Sequence, residues 1–126
     1  MKRILPASIL LLLLVVTACS TSTIVTKDIT ASQLKEAIAN DSLLVVVDVR
    51  KPSELSGEWG HIKASINIPV DDLEDRLGEL IKYKQDYIAV VCRSGNRSKR
   101  ATAILVENGF NAVNVLGGMK AYSKIE

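Results

Sequence analysis

Histidine and cysteine are scarce in this chain: one of the first and two of the second among 126 residues. A tetrahedral zinc site draws its ligands from cysteine, histidine and carboxylate groups, and with no cysteine cluster there are too few here. No metal is expected. No apolar run is long enough to cross a bilayer either. The longest, Ile4 to Val16, has 13 residues, against the roughly 20 that a spanning helix needs. No internal repeat and no low-complexity tract interrupts the sequence. Nor does charge of one sign dominate. Setting aside residues 1–18 removes Lys2 and Arg3 and no acidic residue, so 14 basic side chains face 14 acidic ones. That balance argues against nucleic acid as a general partner.

What stands at the amino end is a basic start, a short apolar run and small residues, the pattern of an export signal rather than a membrane anchor. A spanning helix continuing through Thr17 and Ala18 is the alternative, and the polar stretch Ser20 to Thr23 stops it. Val16-Thr17-Ala18-Cys19 resembles the bacterial lipobox. The resemblance implies cleavage before Cys19 and lipid attached to it, hence anchoring in a bacterial cell envelope. With Ser20 rather than aspartate next to it, the outer membrane is implied where the host has one. A lipidated Cys19 has no free thiol for a disulfide, which leaves Cys92 alone. The expected organisation is a signal peptide over 1–18, lipidated Cys19 and a polar tether over 19–28, and one domain over 29–126. The 108 residues after the signal are the usual size of a single domain.

Within that domain, Thr30-Ala31-Ser32-Gln33 has the form of a capping box, and Leu34, Ala37 and Ile38 follow at helical spacing as far as Asn40-Asp41. Leu43 to Val47 is an unalternated, β-branched run, as in strands covered on both faces of a parallel sheet. After Asp48-Val49-Arg50 comes a loop broken by Pro52, Gly57 and Gly60. Ser65 to Pro69 predicts a second strand. Asp71 to Lys82 predicts a helix presenting Leu73, Leu77, Leu80 and Ile81, with acidic residues in its first turn. Tyr87 to Val91 predicts a third, buried strand. Ser98 to Asn108 predicts a helix with Ala101, Ile104 and Leu105 inward and Gly109 at its end. Val113 to Leu116 predicts a strand, Gly117-Gly118 a turn, and Met119 to Ile125 a short last helix. Strands alternating with helices indicate an α/β domain with a mostly parallel sheet.

Ligands of such sheets bind beyond the carboxyl ends of the strands, and there lies Cys92-Arg93-Ser94-Gly95-Asn96-Arg97-Ser98. The helix that follows turns its amino end, with free N–H groups and about half a positive charge, back toward the thiol. Arg93 and Arg97 add formal charge, and Gly95 permits a turn that aims successive N–H groups inward as an anion nest. A thiol so placed becomes a thiolate at neutral pH. A buried cysteine acting as a small hydrophobe is the bland alternative. Likewise, Arg97-Ser98-Lys99-Arg100 is read as steering for a small anion rather than as a nucleic-acid patch.

Asp48-Val49-Arg50, Gly60-His61-Ile62, Ile66 to Pro69, Cys92 to Ser98, Gly109-Phe110 and Leu116 to Met119 resemble, in this order, the landmarks of the rhodanese domain family. The resemblance covers roughly residues 29 to 124. It implies a five-stranded parallel sheet flanked by helices, and transfer of sulfane sulfur from thiosulfate to cyanide or a thiol. Cys92 would be the catalytic nucleophile that becomes a persulfide, with Arg93, Ser94, Gly95, Asn96, Arg97 and Ser98 binding substrate. No cofactor is required, and a monomer is expected, with a small anionic sulfur donor and a thiophilic acceptor as its partners. Four residues separate Cys92 from Arg97, whereas the phosphatase branch needs a wider loop. Asp48 and Arg50 are expected to brace the loop as an ion pair, His61 to hydrogen-bond structurally and Trp59 to pack. Two departures from the family stand at the pocket rim: a somewhat longer stretch from Asp48 to Gly60, and Tyr122 where Trp is common.

Overall fold

The computed structural model describes residues 24–40 and 44–126. The expected signal segment and Cys19 lie outside the described residues. Strand β1 (Lys27–Thr30) leads into helix α1 (Ala31–Asn40), followed by β2 (Leu44–Asp48) and the two-residue strand β3 (Ile66–Asn67). Then come β4 (Tyr87–Val91), helix α2 (Asn96–Glu107), β5 (Asn111–Leu116) and helix α3 (Gly118–Tyr122). All strand pairs are parallel, in the order β1-β5-β4-β2-β3.

The central strands are apolar throughout because the sheet is covered on both faces. On one face Val47, Ile88, Val90, Cys92 and Ala112 pack against Ala101, Ile104 and Leu105 of α2, and against Leu73 and Leu80. On the other, Val46, Ala89, Val91, Val113 and Val115 meet Ala31 and Leu34 of α1 and Met119 of α3. Cys92 thus belongs to the α2 layer. At the start of α1 the expected capping box is present, with Thr30 N–H donating to Gln33 Oε1 at 2.8 Å and Gln33 N–H to Thr30 Oγ1 at 3.1 Å.

Two expectations are corrected. Residues 27 and 28 are not tether: they begin β1, which pairs with β5 from Lys27↔Val113 to Thr30↔Leu116. An edge strand has a neighbour on one side only, and three of its four residues are exposed. It therefore carries no apolar run that could mark it. The segment expected as a helix over 71–82 is wound as 3-10 helix, Val70–Asp72 and then Glu74–Tyr83. With three residues per turn, Leu77, Leu80 and Tyr83 align toward the core, and Ile81 turns outward, 62% exposed.

The carboxyl edge of the sheet is tied together through the main chain. Met119 N–H donates to Cys92 O at 2.8 Å and Lys120 N–H to Arg93 O at 3.0 Å. This strap runs against Gly118, which has φ +53°; a Cβ there would meet the carbonyl of Cys92 and lie 2.7 Å from Arg93 C and O. Only glycine fits. Gly118→Ala is expected to lower stability by more than about 1 kcal/mol, read as a shifted urea midpoint. An unchanged midpoint would show that the strap tolerates a side chain.

Candidate active site

Cys92 follows the last residue of β4, and its side chain is 1% exposed. The chain then turns through Gly95, whose φ of +104° is open to glycine and strained for other residues, into α2. This turn brings donors onto the sulfur. Gly95 N–H points at Cys92 Sγ at 3.1 Å, and Ser98 Oγ lies 3.3 Å from the same atom. Burial on its own pushes the thiol pKa up. The Ser98 side chain and the N–H groups of Ser98, Gly95 and Ser94 outweigh it, and the thiol ends below its ordinary value. Hydrogen bonds to the charged form are the means by which a buried group stays ionised. The expected nest is therefore present.

The arginines are placed differently from the sequence expectation. Arg97 is not free to hold a substrate in the resting structure. Its guanidinium forms a two-pronged pair with Glu54, Nη1 to Oε2 and Nη2 to Oε1, both at 2.8 Å. Glu54 also accepts Lys51 N–H at 2.9 Å. The Arg97 hydrogen bond foremost lowers the Glu54 pKa from 4.5 to about 2, against the opposing effect of burial. The same bond raises that of Arg97, as does, more weakly, the charge of Cys92. Arg93 is exposed, and its guanidinium lies over the Trp59 ring, 5.1 Å from the centroid. That is within the range of a cation–π contact. Trp59 itself packs against the α1 side of the sheet.

Asp48 and Arg50 are 0% and 1% exposed and joined at 2.7 Å. Arg50 also donates to Gly60 O at 2.8 Å and Glu54 O at 3.3 Å, spanning the long loop after β2. Asn67 closes the arrangement by donating to the carbonyls of Asp48 and Arg50. The pair braces the loop that carries Glu54 and does not touch the thiol. His61 donates from Nδ1 to Leu55 O at 3.2 Å, a bond within the same loop. Ser94 and Asn96 are exposed. Ser98, expected at the substrate, is fully buried; its hydroxyl lies between the sulfur at 3.3 Å and Asn114 Oδ1 at 2.6 Å.

Glu54 was missed because its partner is 43 residues away. Asn114, 2% exposed and bonded to Ser98, was missed as well, although a polar residue between Val113 and Val115 of a two-sided strand was a visible signal. The cradle is a backbone cup. A cavity of about 320 Å³ lined by Ile38, Leu44, Ile62 and Tyr83 touches none of residues 92–98.

A family model, the rhodanese-like domain, matches residues 30–125. The chain belongs to the rhodanese-like domain family. It is 38% identical over 96 residues to the putative sulfurtransferase YtwF of Bacillus subtilis, covering 76% of this chain and 89% of that protein. It is 35% identical over 74 residues to the thiosulfate sulfurtransferase PspE of Escherichia coli, covering 59% and 69%. A rhodanese-like domain protein from Staphylococcus aureus superposes with a TM-score of 0.69 at 35% identity, covering 77% of this chain and 91% of the other. The five-stranded parallel sheet flanked by helices is thus the fold of that family.

The Glu54–Arg97 pair, about one-third exposed on each side, yields a pH signature. Because the folded carboxyl titrates near 2 and the unfolded one near 4.5, the unfolded state binds more protons in between. The pair's contribution is whole above pH 4.5 and is lost as pH falls toward 2. Glu54→Gln is expected to reduce stability at neutral pH by about 0.2–1 kcal/mol, the range for exposed pairs. The gap between wild type and variant should close over that acid window in chemical denaturation. A gap independent of pH would contradict the pairing.

Proposed function

We propose that this rhodanese domain is a sulfurtransferase that carries sulfane sulfur on Cys92, taking it from thiosulfate or a persulfide and giving it to cyanide or a thiol. The observation that carries this reading is the set of N–H donors from Ser94, Gly95 and Ser98 around one buried thiol of lowered pKa. The thiolate attacks the outer sulfur of thiosulfate. A bond forms between Sγ and that sulfur, the bond to the sulfonate sulfur breaks, and sulfite leaves with its electron pair. The negative charge now sits on the terminal sulfur of the persulfide, where loop N–H groups stabilise it. An acceptor nucleophile attacks the terminal sulfur and Cys92 leaves as thiolate, so no proton donor and no redox cofactor is needed.

Relatives carry the names of both outcomes of such chemistry. Besides the sulfurtransferases, a putative sulfur carrier protein of Bacillus subtilis, YrkF, is 33% identical over 97 residues, of which this chain spans half the length. Turnover and loading separate the two. The wild type is expected to form thiocyanate from thiosulfate and cyanide, and Cys92→Ser to form none. Intact-mass measurement after thiosulfate treatment should show one added sulfur atom, absent in Cys92→Ser. Loading without thiocyanate would favour a carrier; neither loading nor turnover would overturn the reading. An aryl phosphate should not be hydrolysed.

The lipobox-like Val16 to Cys19 supports placing this activity at the extracytoplasmic face of a bacterial membrane, held by lipid on Cys19. Fractionation is expected to find the wild type with membranes and Cys19→Ala released from them. Wild-type protein in the soluble cytoplasmic fraction would end that assignment.

A further inference from the structure

Beneath the thiol runs a chain of polar side chains that the transfer reaction does not by itself require. Ser98 Oγ is 3.3 Å from Cys92 Sγ and donates to Asn114 Oδ1 at 2.6 Å. Asn114 Nδ2 in turn donates to Asp28 Oδ1 at 3.1 Å. The parallel pairing of β1 with β5 sets Asp28 opposite Asn114, and α2 lays Ser98 on the same face of the sheet. Three elements therefore meet under one sulfur.

The direction of every proton in this chain follows from its outer end. An ionised carboxylate only accepts hydrogen bonds, so Asp28 turns the amide NH2 of Asn114 toward itself. Asn114 Oδ1 then faces Ser98, and it too only accepts. Ser98 has a single hydroxyl proton, which is committed to Asn114 at 2.6 Å. While that proton stays on Asn114, Ser98 offers the sulfur a lone pair, which suits an S–H donor; the downward pull of the Ser98 side chain on the thiol pKa acts only when the O–H turns to Sγ. For Ser98 to stabilise the thiolate, its O–H must leave Asn114 Oδ1 and turn to Sγ. Asn114 Oδ1 would then be without a donor in a place 2% exposed, a costly state for a buried acceptor.

We propose that Asn114, oriented by Asp28, is a positioning residue that sets how readily Cys92 ionises by competing with the sulfur for the Ser98 proton. The pair acts as a restraint. It favours the thiol over the bare thiolate; in the loaded persulfide Sγ is a neutral bridging atom, so the Ser98 proton can stay with Asn114. The bare thiolate alone has to draw that proton away. Such a restraint keeps the thiol from becoming so acidic that its thiolate is a poor nucleophile, since nucleophilicity falls as thiol pKa falls.

The inference rests on reading Cys92 as the sulfur-bearing nucleophile, but its test reads ionisation directly and does not depend on which donor is used. The pH dependence of iodoacetamide alkylation at Cys92 is followed in the full chain by peptide mass spectrometry, which separates Cys92 from Cys19. Asn114→Val frees the hydroxyl for the sulfur and should move the alkylation midpoint down by about half to one pH unit, the equivalent of one hydrogen bond. Ser98→Ala should move it up. In the Ser98→Ala background, Asn114→Val should move it no further, because the route through the hydroxyl is gone. Asp28→Asn removes the rule that fixes the Asn114 amide and should shift the midpoint down by a smaller amount. Since Asp28 is exposed, that shift should persist in high salt, where a through-solvent charge effect is screened.

The other charged groups around the loop are Arg93, Arg97, the Asp48–Arg50 pair, Glu54 and Lys120. All are the same in every variant. Circular dichroism reports whether each variant is folded, and should Asn114→Val fail to fold, the exposed-strand variant Asp28→Asn carries the test alone. An unmoved or raised midpoint in folded Asn114→Val, an equal shift with Ser98 absent, or an Asp28→Asn shift abolished by salt would overturn the proposal. Absence of thiosulfate loading with these shifts intact would instead count against the donor named above and leave the proposal standing.

Discussion

A sulfur that is to carry charge where water scarcely reaches must find its hydrogen bonds in the protein. Desolvation alone drives a buried thiol toward its neutral form, and Cys92 is 1% exposed. Every unusual feature of the loop answers that demand. The left-handed Gly95 reverses the chain so that N–H groups of Ser94, Gly95 and Ser98 meet at one atom. Helix α2 begins at once, and the otherwise unpaired N–H of Ser98 in its first turn is one of those on offer. Gly117 and Gly118 let α3 approach until its amides bond the carbonyls of Cys92 and Arg93. Those bonds occupy the two carbonyls that flank the start of the loop. The strap from α3 is thus part of the cradle although it never touches the thiol.

The brace on the opposite side shows what orienting such a loop costs. Burying Asp48 with Arg50 removes two charges from water, which a Coulomb attraction repays only when the remaining donors are also satisfied. They are satisfied here: Arg50 reaches Gly60 O and Glu54 O, and Asn67 ties down the main chain on both sides of Val49. The pair therefore acts as a locator more than as a source of stability. Its reach across the turn holds Glu54 in place, and Glu54 holds Arg97. A run of contacts leads from the end of β2 to the first turn of α2, across segments far apart in the chain.

Features written in consecutive residues were legible in the sequence. The two-sided strands β2 and β4 stand out as apolar runs, the capping box at Thr30 is a four-residue pattern, and the Cys92 loop declares itself by its glycine and arginines. What escaped depends on partners. Strand β1 is a strand only because β5 lies beside it, and its exposed Lys27, Asp28 and Thr30 carry no period. Leu73, Leu77, Leu80 and Ile81 fit an α-helical stripe, but the observed winding places Tyr83, not Ile81, with Leu77 and Leu80. Both windings bury leucines, so the pattern could not separate them. Arg97 reads from the sequence as a cation of the Cys92 loop, but the carboxylate that occupies it lies 43 residues upstream.

That last difference changes the account of the site's electrostatics. With Arg97 paired to Glu54, the formal charge of one loop arginine is answered before any ligand arrives, while Arg93 lies exposed over Trp59. The donors aimed at the sulfur itself are backbone N–H groups fixed in direction, that of Gly95 at 3.1 Å. Such short-range donors act strongly on an atom seated within the loop and weakly on one outside it. A long-range cation would attract any anion alike. The amides consequently discriminate by position: they reward negative charge located on Cys92 sulfur or on an atom bonded to it.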